Sequence, residues 1–531
     1  MSGRGAWEKV DWRAGEFRGG LQPSASLSGR VGMPLLCVPV LLVSILTASE
    51  PRLPIRTSGE TRDVLAQLDR DLRQPRPEKR RRAVRELAAL GTRAAWERVI
   101  EALEDVDPQV ADEAQLRLGG LRDDRLRRAL EGRAGLRSKD ELVRIRVAEA
   151  MGRMASVSGD ALAAALDLRS PELSRTILWS LERAARRDAL DGDRAVLARR
   201  VARVLEGRAA GPVRAASLLT LLELDPSGAV DHALQAVGDK HPEVRSAALR
   251  TLQLGAPDLA ERVVAQLASD AAPGVRAQAI ETLTALGRRS ALVCLVQRLG
   301  EEPRARNRRR IVSALRALSG MRYGPNQRSW DRWLAAQPLD WTPSRVEAMP
   351  ERKGRSEAQV GLPVLSDRIA FLIDFSGSLW QGKVGDRTRK ELAVEDLSQA
   401  LAALSREARF HLIPYTGSPL PFRDRLVTPD RRNVGKALDY LRRLSASGKG
   451  NVYDAIQLAL QDPDVDTIVV YTDGSPTGGV RWNLDLMVEL LLERHRTRKV
   501  AFDAVLIDPP GGNRKRWERL AAATGGQVVV R

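Results

Sequence analysis

The sequence has few of the residues that carry redox, zinc or nucleophile chemistry. Its 531 residues include two cysteines and four histidines. Cys37 lies in an apolar run near the amino terminus. If that segment is removed, Cys294 alone remains, no internal disulfide is possible, and stability must come from packing. Cys294 itself sits in the apolar stretch 292–296 and reads as core. None of His232, His241, His411 and His495 has the spacing of a zinc motif. His411 falls within an apolar strand and reads as a core or strand-end residue. Gly448-Lys449 lacks the earlier glycine and the following hydroxyl of a phosphate-binding loop. Ser376 is not in a Gly-x-Ser-x-Gly elbow, because Asp374 holds the first glycine position. Aromatic residues make up 4% of the chain. They are almost missing around the basic clusters Lys79–Arg82 and Arg308–Arg310, so base stacking has no platform there, and nucleic acid is not the expected partner despite a formal charge of +18. These absences point to a chain that is not an enzyme.

What is present falls into two patterns. Residues 60–320 are rich in Ala, Leu, Arg and Glu, with helical periodicity and little strand character. The wording Gly211-Pro212-Val213-Arg214-Ala215-Ala216 returns as Pro242-Glu243-Val244-Arg245-Ser246-Ala247-Ala248 and as Pro273-Gly274-Val275-Arg276-Ala277-Gln278-Ala279. The Val-Arg pairs stand a fixed 31 residues apart, and looser copies start near Pro77, Pro108, Asp140, Pro171 and Pro303. A fixed period, with proline opening a helix and Leu/Ala at core spacing, means a helical solenoid of about seven or eight units. The repeated Val and Ala belong to the core. Arg214, Arg245 and Arg276 would occupy equivalent places on successive units. They form either a ladder paired with acids of the neighbouring turn, such as Asp239 or Asp270, or a basic ridge for an acidic partner; the ladder is the favoured reading. Trp330 and Trp333 share a helical face and suit a cap on the open end of the array.

The second pattern begins at residue 366. Apolar strands at 368–374, 408–415, 467–472, 500–507 and 527–530 alternate with helical stretches at 387–406, 431–444, 483–497 and 513–523. Another helix opens at 450–455, and a short segment spans 422–428. Near-continuous apolar strands between amphipathic helices mean a mostly parallel sheet covered on both faces. The first strand ends in Asp374-Phe375-Ser376-Gly377-Ser378, and the strand at 467–472 ends in Thr472-Asp473-Gly474. Oxygen donors therefore collect at the carboxyl edge of a sheet, where open α/β sheets bind ligands, and hard cations prefer such donors.

The repeat wording resembles HEAT repeats of the short variety. Residues 366–531 resemble a von Willebrand factor type A domain, and Asp374, Ser376, Ser378 and Asp473 match its metal-ion-dependent adhesion site. The resemblance implies Mg²⁺ held by these four residues, with an acidic side chain of a protein partner completing the metal shell. One position departs from the pattern. The threonine that the family places before Asn-hydrophobic-Tyr-Asp is here Gly450, so Mg²⁺ binding is expected to be weak. Asn451 or a water would fill the gap, or Lys449 would bring its ammonium to the carboxylates and compete. The alternative is a fold signature without metal, its oxygens capping the following helix.

The apolar run 34–48 is short for a membrane span and suits a secretory signal core. The expected location is periplasmic, cell-surface or secreted in a bacterium, and the alternative is an anchor retained at the amino terminus. The expected architecture is multidomain: an all-α helical solenoid plus a doubly wound, Rossmann-like, mostly parallel α/β sheet domain. Residues 1–49 are the extension and signal-like segment, 50–320 the repeats, 321–337 the cap, 338–365 an exposed linker between independent modules, and 366–531 the sheet domain. The expected function is non-enzymatic binding of protein partners, assisted by a divalent cation. Two other readings stay open: a metal-independent scaffold, and an accessory subunit of a larger enzyme machine.

Overall fold

The computed structural model describes residues 58–343, 366–444 and 448–531. The signal-like run lies outside the described residues. So does most of the linker, from residue 344 to 365. Among the described residues no helix is long and apolar enough to cross a membrane.

Each repeat copy seen in the sequence opens one helix of a continuous inner layer. These are α1 (Pro77–Leu90), α2 (Pro108–Leu118), α3 (Glu141–Met151), α4 (Pro171–Arg186), α5 (Gly211–Leu224), α6 (Pro242–Gly255), α7 (Pro273–Leu286) and α8 (Ala305–Ser319). Proline suits the first turn, where its missing N–H has no intrahelical acceptor. Asp107, Asp140 and Ser170 cap α2, α3 and α4 with their side chains. Val213, Val244 and Val275, together with the alanines of the repeat wording, are buried. Each inner helix packs against the next.

The arginine ladder is present. Arg214 pairs with Asp239, Arg245 with Asp270, and Arg276 with Glu302, each at 2.7 Å. Each guanidinium also donates to a backbone carbonyl, of Leu205, Asp239 and Asp270 respectively. These arginines tie one turn to the next and are not a ridge for a partner. Much of each basic cluster is absorbed internally as well. Arg80 pairs with Asp105 at 2.8 Å; Arg308 donates to the carbonyls of Glu302 and Pro303; Arg310 donates to the Lys499 carbonyl at 2.7 Å. At the far end Trp330 is fully buried, with Tyr323 and Trp333 edge-on at 5.2 and 6.3 Å. Its indole N–H donates to the Gly324 carbonyl.

The sheet domain has five parallel strands: β1 (Arg368–Asp374), β2 (Arg409–Tyr415), β3 (Thr467–Thr472), β4 (Ala501–Leu506) and β5 (Val528–Val530). Their spatial order is β2-β1-β3-β4-β5. The chain moves outward from β1 in one direction to β2, then returns to the other side of β1 with β3. The switch point therefore lies between β1 and β3, and ligands of such sheets bind outside the carboxyl ends of the strands there. Helices α9 (Arg389–Ala402), α10 (Arg431–Arg443), α11 (Val452–Ala459), α12 (Leu484–Arg498) and α13 (Gly511–Thr524) cover the two faces. His411 is buried in β2, its Nε2 2.6 Å from the Arg423 carbonyl. Cys294 packs against the solenoid core.

The expectation of independent modules meets a different arrangement. Helix α12 lies against the inner layer of the solenoid, and the contact is ionic along its length. Arg153 and Arg183 both pair with Glu489, at 2.7 and 3.1 Å. Arg494 reaches Glu172 at 2.6 Å, Arg496 reaches Glu182 at 2.7 Å, and Lys499 reaches Glu281 at 2.5 Å. Arg175 pairs with Glu493. Charged residues on the inner helices thus form the seat of the sheet domain, which is why those helices carry arginine and glutamate in otherwise apolar stretches.

Candidate functional site

Asp374 ends β1, and Asp473 follows β3 directly. The two carboxylates therefore stand at neighbouring strand ends across the switch point. Both are buried, as is Ser376, while Ser378 is exposed. Asp374 Oδ1 accepts the Ser376 amide at 2.8 Å, and Oδ2 accepts the Thr472 hydroxyl at 3.0 Å. The hydroxyls of Ser376 and Ser378 are 3.1 Å apart. Asp473 Oδ1 accepts the Ser475 amide at 2.9 Å. Gly474 adopts φ +85°, the left-handed region that lets the chain turn straight after Asp473. Burial pushes the Asp374 carboxyl up to about 6; the nearby Asp473 adds to this, and the bonds from Ser376 and Thr472 oppose it. Tyr415 ends β2 opposite Asp374 in the ladder. Burial first, and then the Asp374 charge, raise its hydroxyl well above the usual phenol range.

Three sequence alternatives can be placed. The short helix Gly377–Gln381 has Ser376 at its N-cap position, but the Ser376 side chain makes no capping bond. The hydroxyls are not used in the way the capping alternative requires. Lys449 does not face the carboxylates either: its ammonium sits 3.0 Å from Asp107 on the solenoid. Asn451 is committed as the cap of α11, and its amide nitrogen donates to the Gly417 carbonyl and to Asp454.

Gly450 lies where the missing threonine was expected. A Cβ built on it would meet the two Asp374 carboxylate oxygens at 3.4 and 3.5 Å, and the Thr477 hydroxyl at 3.4 Å. The Gly450 amide donates to that hydroxyl at 2.5 Å. Thr477 thus brings a hydroxyl into the gap from the turn after β3, a residue that the family pattern did not single out. Arg389 was also missed. Its guanidinium pairs with Asp508 and stands 3.8 Å from Asp473 Oδ2. Its position, inside the first turn of the helix predicted at 387–406 and far from either strand end, gave no signal.

The donor set fits a hard cation. Two carboxylates, one of them raised chiefly by burial, lie with two hydroxyls that serve no cap, beside a glycine where a Cβ would make ordinary contacts. Among the described residues no three His, Cys, Asp or Glu side chains gather into a metal cluster, so a cation here would lean on hydroxyls and water.

The family model described as HEAT repeats matches residues 230–316. Heavy chain 4 of inter alpha-trypsin inhibitor from Mus musculus is 34% identical over 134 residues, covering 23% of this chain and 14% of that protein. Inter-alpha-trypsin inhibitor heavy chain H4 from Homo sapiens is 31% identical over 134 residues, with the same 23% and 14% coverage. The chain spans about one seventh of the length of these curated relatives, 14% in each case. A solved von Willebrand factor type A structure from Catenulispora acidiphila is 20% identical, covers 31% of this chain and 38% of that one, and has a TM-score of 0.26. The chain carries HEAT repeats followed by a von Willebrand factor type A domain.

Proposed function

We propose that the chain is an exported, protein-binding scaffold whose sheet domain takes Mg²⁺ at the switch-point edge. Asp374, Ser376, Ser378 and Asp473 hold the ion, and an acidic side chain of a protein partner completes its coordination. One observation carries the reading: the two strand-end carboxylates and the Ser376 and Ser378 hydroxyls, which cap no helix, meet at one edge, beside Gly450 and the Thr477 hydroxyl. The cation supplies charge and a coordination position for the partner. The chain's own residues orient it: Thr472 and the Ser376 amide fix the Asp374 carboxylate, and the Ser475 amide fixes that of Asp473. Helical repeats and relatives of the inhibitor heavy-chain kind support a scaffold over a catalyst.

The test is calorimetric titration of the full chain with Mg²⁺. Weak but saturable binding is expected in the wild type, lost in Asp374→Ala. No heat in the wild type, or an unchanged isotherm in Asp374→Ala, refutes the metal reading. A second reading has one observation behind it. Arg389 beside Asp473 already supplies a positive charge, so the edge would bind a partner without metal. Partner capture that survives chelator but is lost in Arg389→Met would select that reading.

A further inference from the structure

Building on the metal reading, we propose that the solenoid holds the site loops in register, with Asp107 and Asp112 acting as positioning residues for the metal edge. Two loops close the edge, 448–451 and 473–483. Glycines 448, 450, 474, 478 and 479 make them intrinsically soft, and Gly448, Gly474 and Gly479 have positive φ. The loops touch each other closely. The amides of Thr477 and Gly478 donate to the Gly450 carbonyl at 3.0 and 3.3 Å. A Cβ on Gly478 would meet the Lys449 Cβ at 2.7 Å, and one on Gly479 would meet Asn451 Oδ1 at 2.0 Å.

The outer end of each loop is fixed by the solenoid. Lys449, next to Gly450, is tied to Asp107 at the start of α2. In the second loop Arg146 donates to the Val480 carbonyl at 2.8 Å. Arg481 donates to Gln115 at 2.5 Å and to Glu149 at 2.7 Å. The Asp112 carboxylate accepts the amides of Trp482 and Asn483 at 2.6 and 2.7 Å. It thereby satisfies exposed donors at the start of α12 from another domain. The Arg81 guanidinium lies 4.5 Å over the Trp482 ring. Asp112 has no exposed surface, and Arg481 is 2% exposed. The strands end before these loops begin, so the sheet alone does not set their positions. By linkage, whatever orders the edge also strengthens docking of α2 and α3, and the reverse holds equally.

Amide hydrogen exchange on the full chain, without metal and with Mg²⁺, tests this. The variants are Lys449→Met, Asp112→Asn and, as a remote interface control, Arg496→Met. Exchange at Thr477 and Gly478 is expected to speed up about threefold in Lys449→Met, whose ion pair is largely in solvent, and about tenfold in Asp112→Asn, with sheet amides such as Val470 unchanged and the control having little effect. Mg²⁺ affinity is expected to fall about threefold in the same two variants. Unchanged exchange at Thr477 and Gly478 in Lys449→Met, or equal acceleration in Arg496→Met, overturns the proposal. Lys449→Met decides the matter if Asp112→Asn fails to fold, because its side chain is largely in solvent. A wild type that binds no Mg²⁺ yet shows the exchange pattern removes the metal reading and keeps the clamp. A wild type that binds Mg²⁺ with unchanged exchange does the opposite.

Discussion

Replacing Arg481 by methionine should be among the most damaging single changes outside the apolar cores. Its guanidinium is 2% exposed and answers two carboxylates that are equally hidden, Glu149 and Asp112, at 2.7 and 3.7 Å. Methionine fills similar space, so packing is largely kept and the loss is electrostatic. Among the described residues, Glu149 would retain only the Gln115 amide as a side-chain donor. Removing one partner of a buried ion pair leaves an uncompensated charge and costs about 3–5 kcal/mol. That is a large share of the roughly 5–15 kcal/mol that separates a folded domain from its unfolded state. The cost should fall on docking, because Arg481 bonds the solenoid and no group of its own sheet. Urea unfolding followed by both tryptophan fluorescence and far-UV circular dichroism would then show the sheet domain and solenoid separating into two steps. The double variant Arg481→Met/Glu149→Gln removes the stranded charge and should recover more than half of the loss, a coupling that a double-mutant cycle measures directly. A loss below about 1 kcal/mol in the single variant, or no recovery in the double, would show that the network is wetter than its burial implies.

Gly450→Thr should tighten Mg²⁺ binding by about 1 kcal/mol, the worth of one added hydrogen-bonding or ligating hydroxyl. The backbone there is not in the left-handed region and a Cβ meets its neighbours at ordinary contact distances, so titration showing no gain would mean that Thr477 already fills the position. A protease site inserted between residues 344 and 365 should give two fragments that co-elute at low and at high salt, since most of the pairs across the interface are buried and salt screens them little; separation at low salt would restore the picture of independent modules. His495 is held neutral at the interface, pushed down to about 3 by burial and then by Lys499 and Arg310, with Glu281 opposing. An unfolded histidine takes up a proton near pH 6.5 while this one does not, so stability is unaffected above about pH 6.5 and falls below it, by about 2 kcal/mol at pH 5. His495→Gln should lack that part of the acid slope, and identical slopes in the two proteins would refute the assignment.

The fold was legible because its signals are local and repeated. Pro-x-Val-Arg-x-x-Ala states a helix start, a core position and a turn-bridging arginine in one phrase, and its recurrence fixes the period. Strand ends were legible because a buried apolar run must stop where a carboxylate begins, which placed Asp374 and Asp473 at the same edge. Helix limits moved by a few residues, as in 387–406 against Arg389–Ala402, because fraying ends carry little hydrophobic signal. Thr477 and Arg389 were not legible, since their relation to the carboxylates depends on how two glycine-rich loops and the start of α9 converge in space.

The interface was illegible for a more general reason. Sequence reading assigns a charge on a helix to solvent, because an isolated charge is expensive to bury. In a solenoid, one face of every inner helix is shielded by the array itself, and anything seated there turns exposed positions into buried ones. The stretch Glu141–Met151 shows the effect: Arg146 and Glu149 interrupt an apolar helix in a way that suits neither a core nor a simple surface. Such charges make sense only when a second set of opposite sign is supplied by the same chain. Here α12 and the loop before it supply Arg481, Glu489, Glu493, Arg494 and Arg496 to Glu149 on α3, Arg153 just after it, and Arg175, Glu172 and Glu182 on α4. The net charge of the solenoid is therefore a poor guide to its partners. The surface open to recognition is the one left over after this internal pairing, and under the proposed function it includes the switch-point edge of the sheet domain.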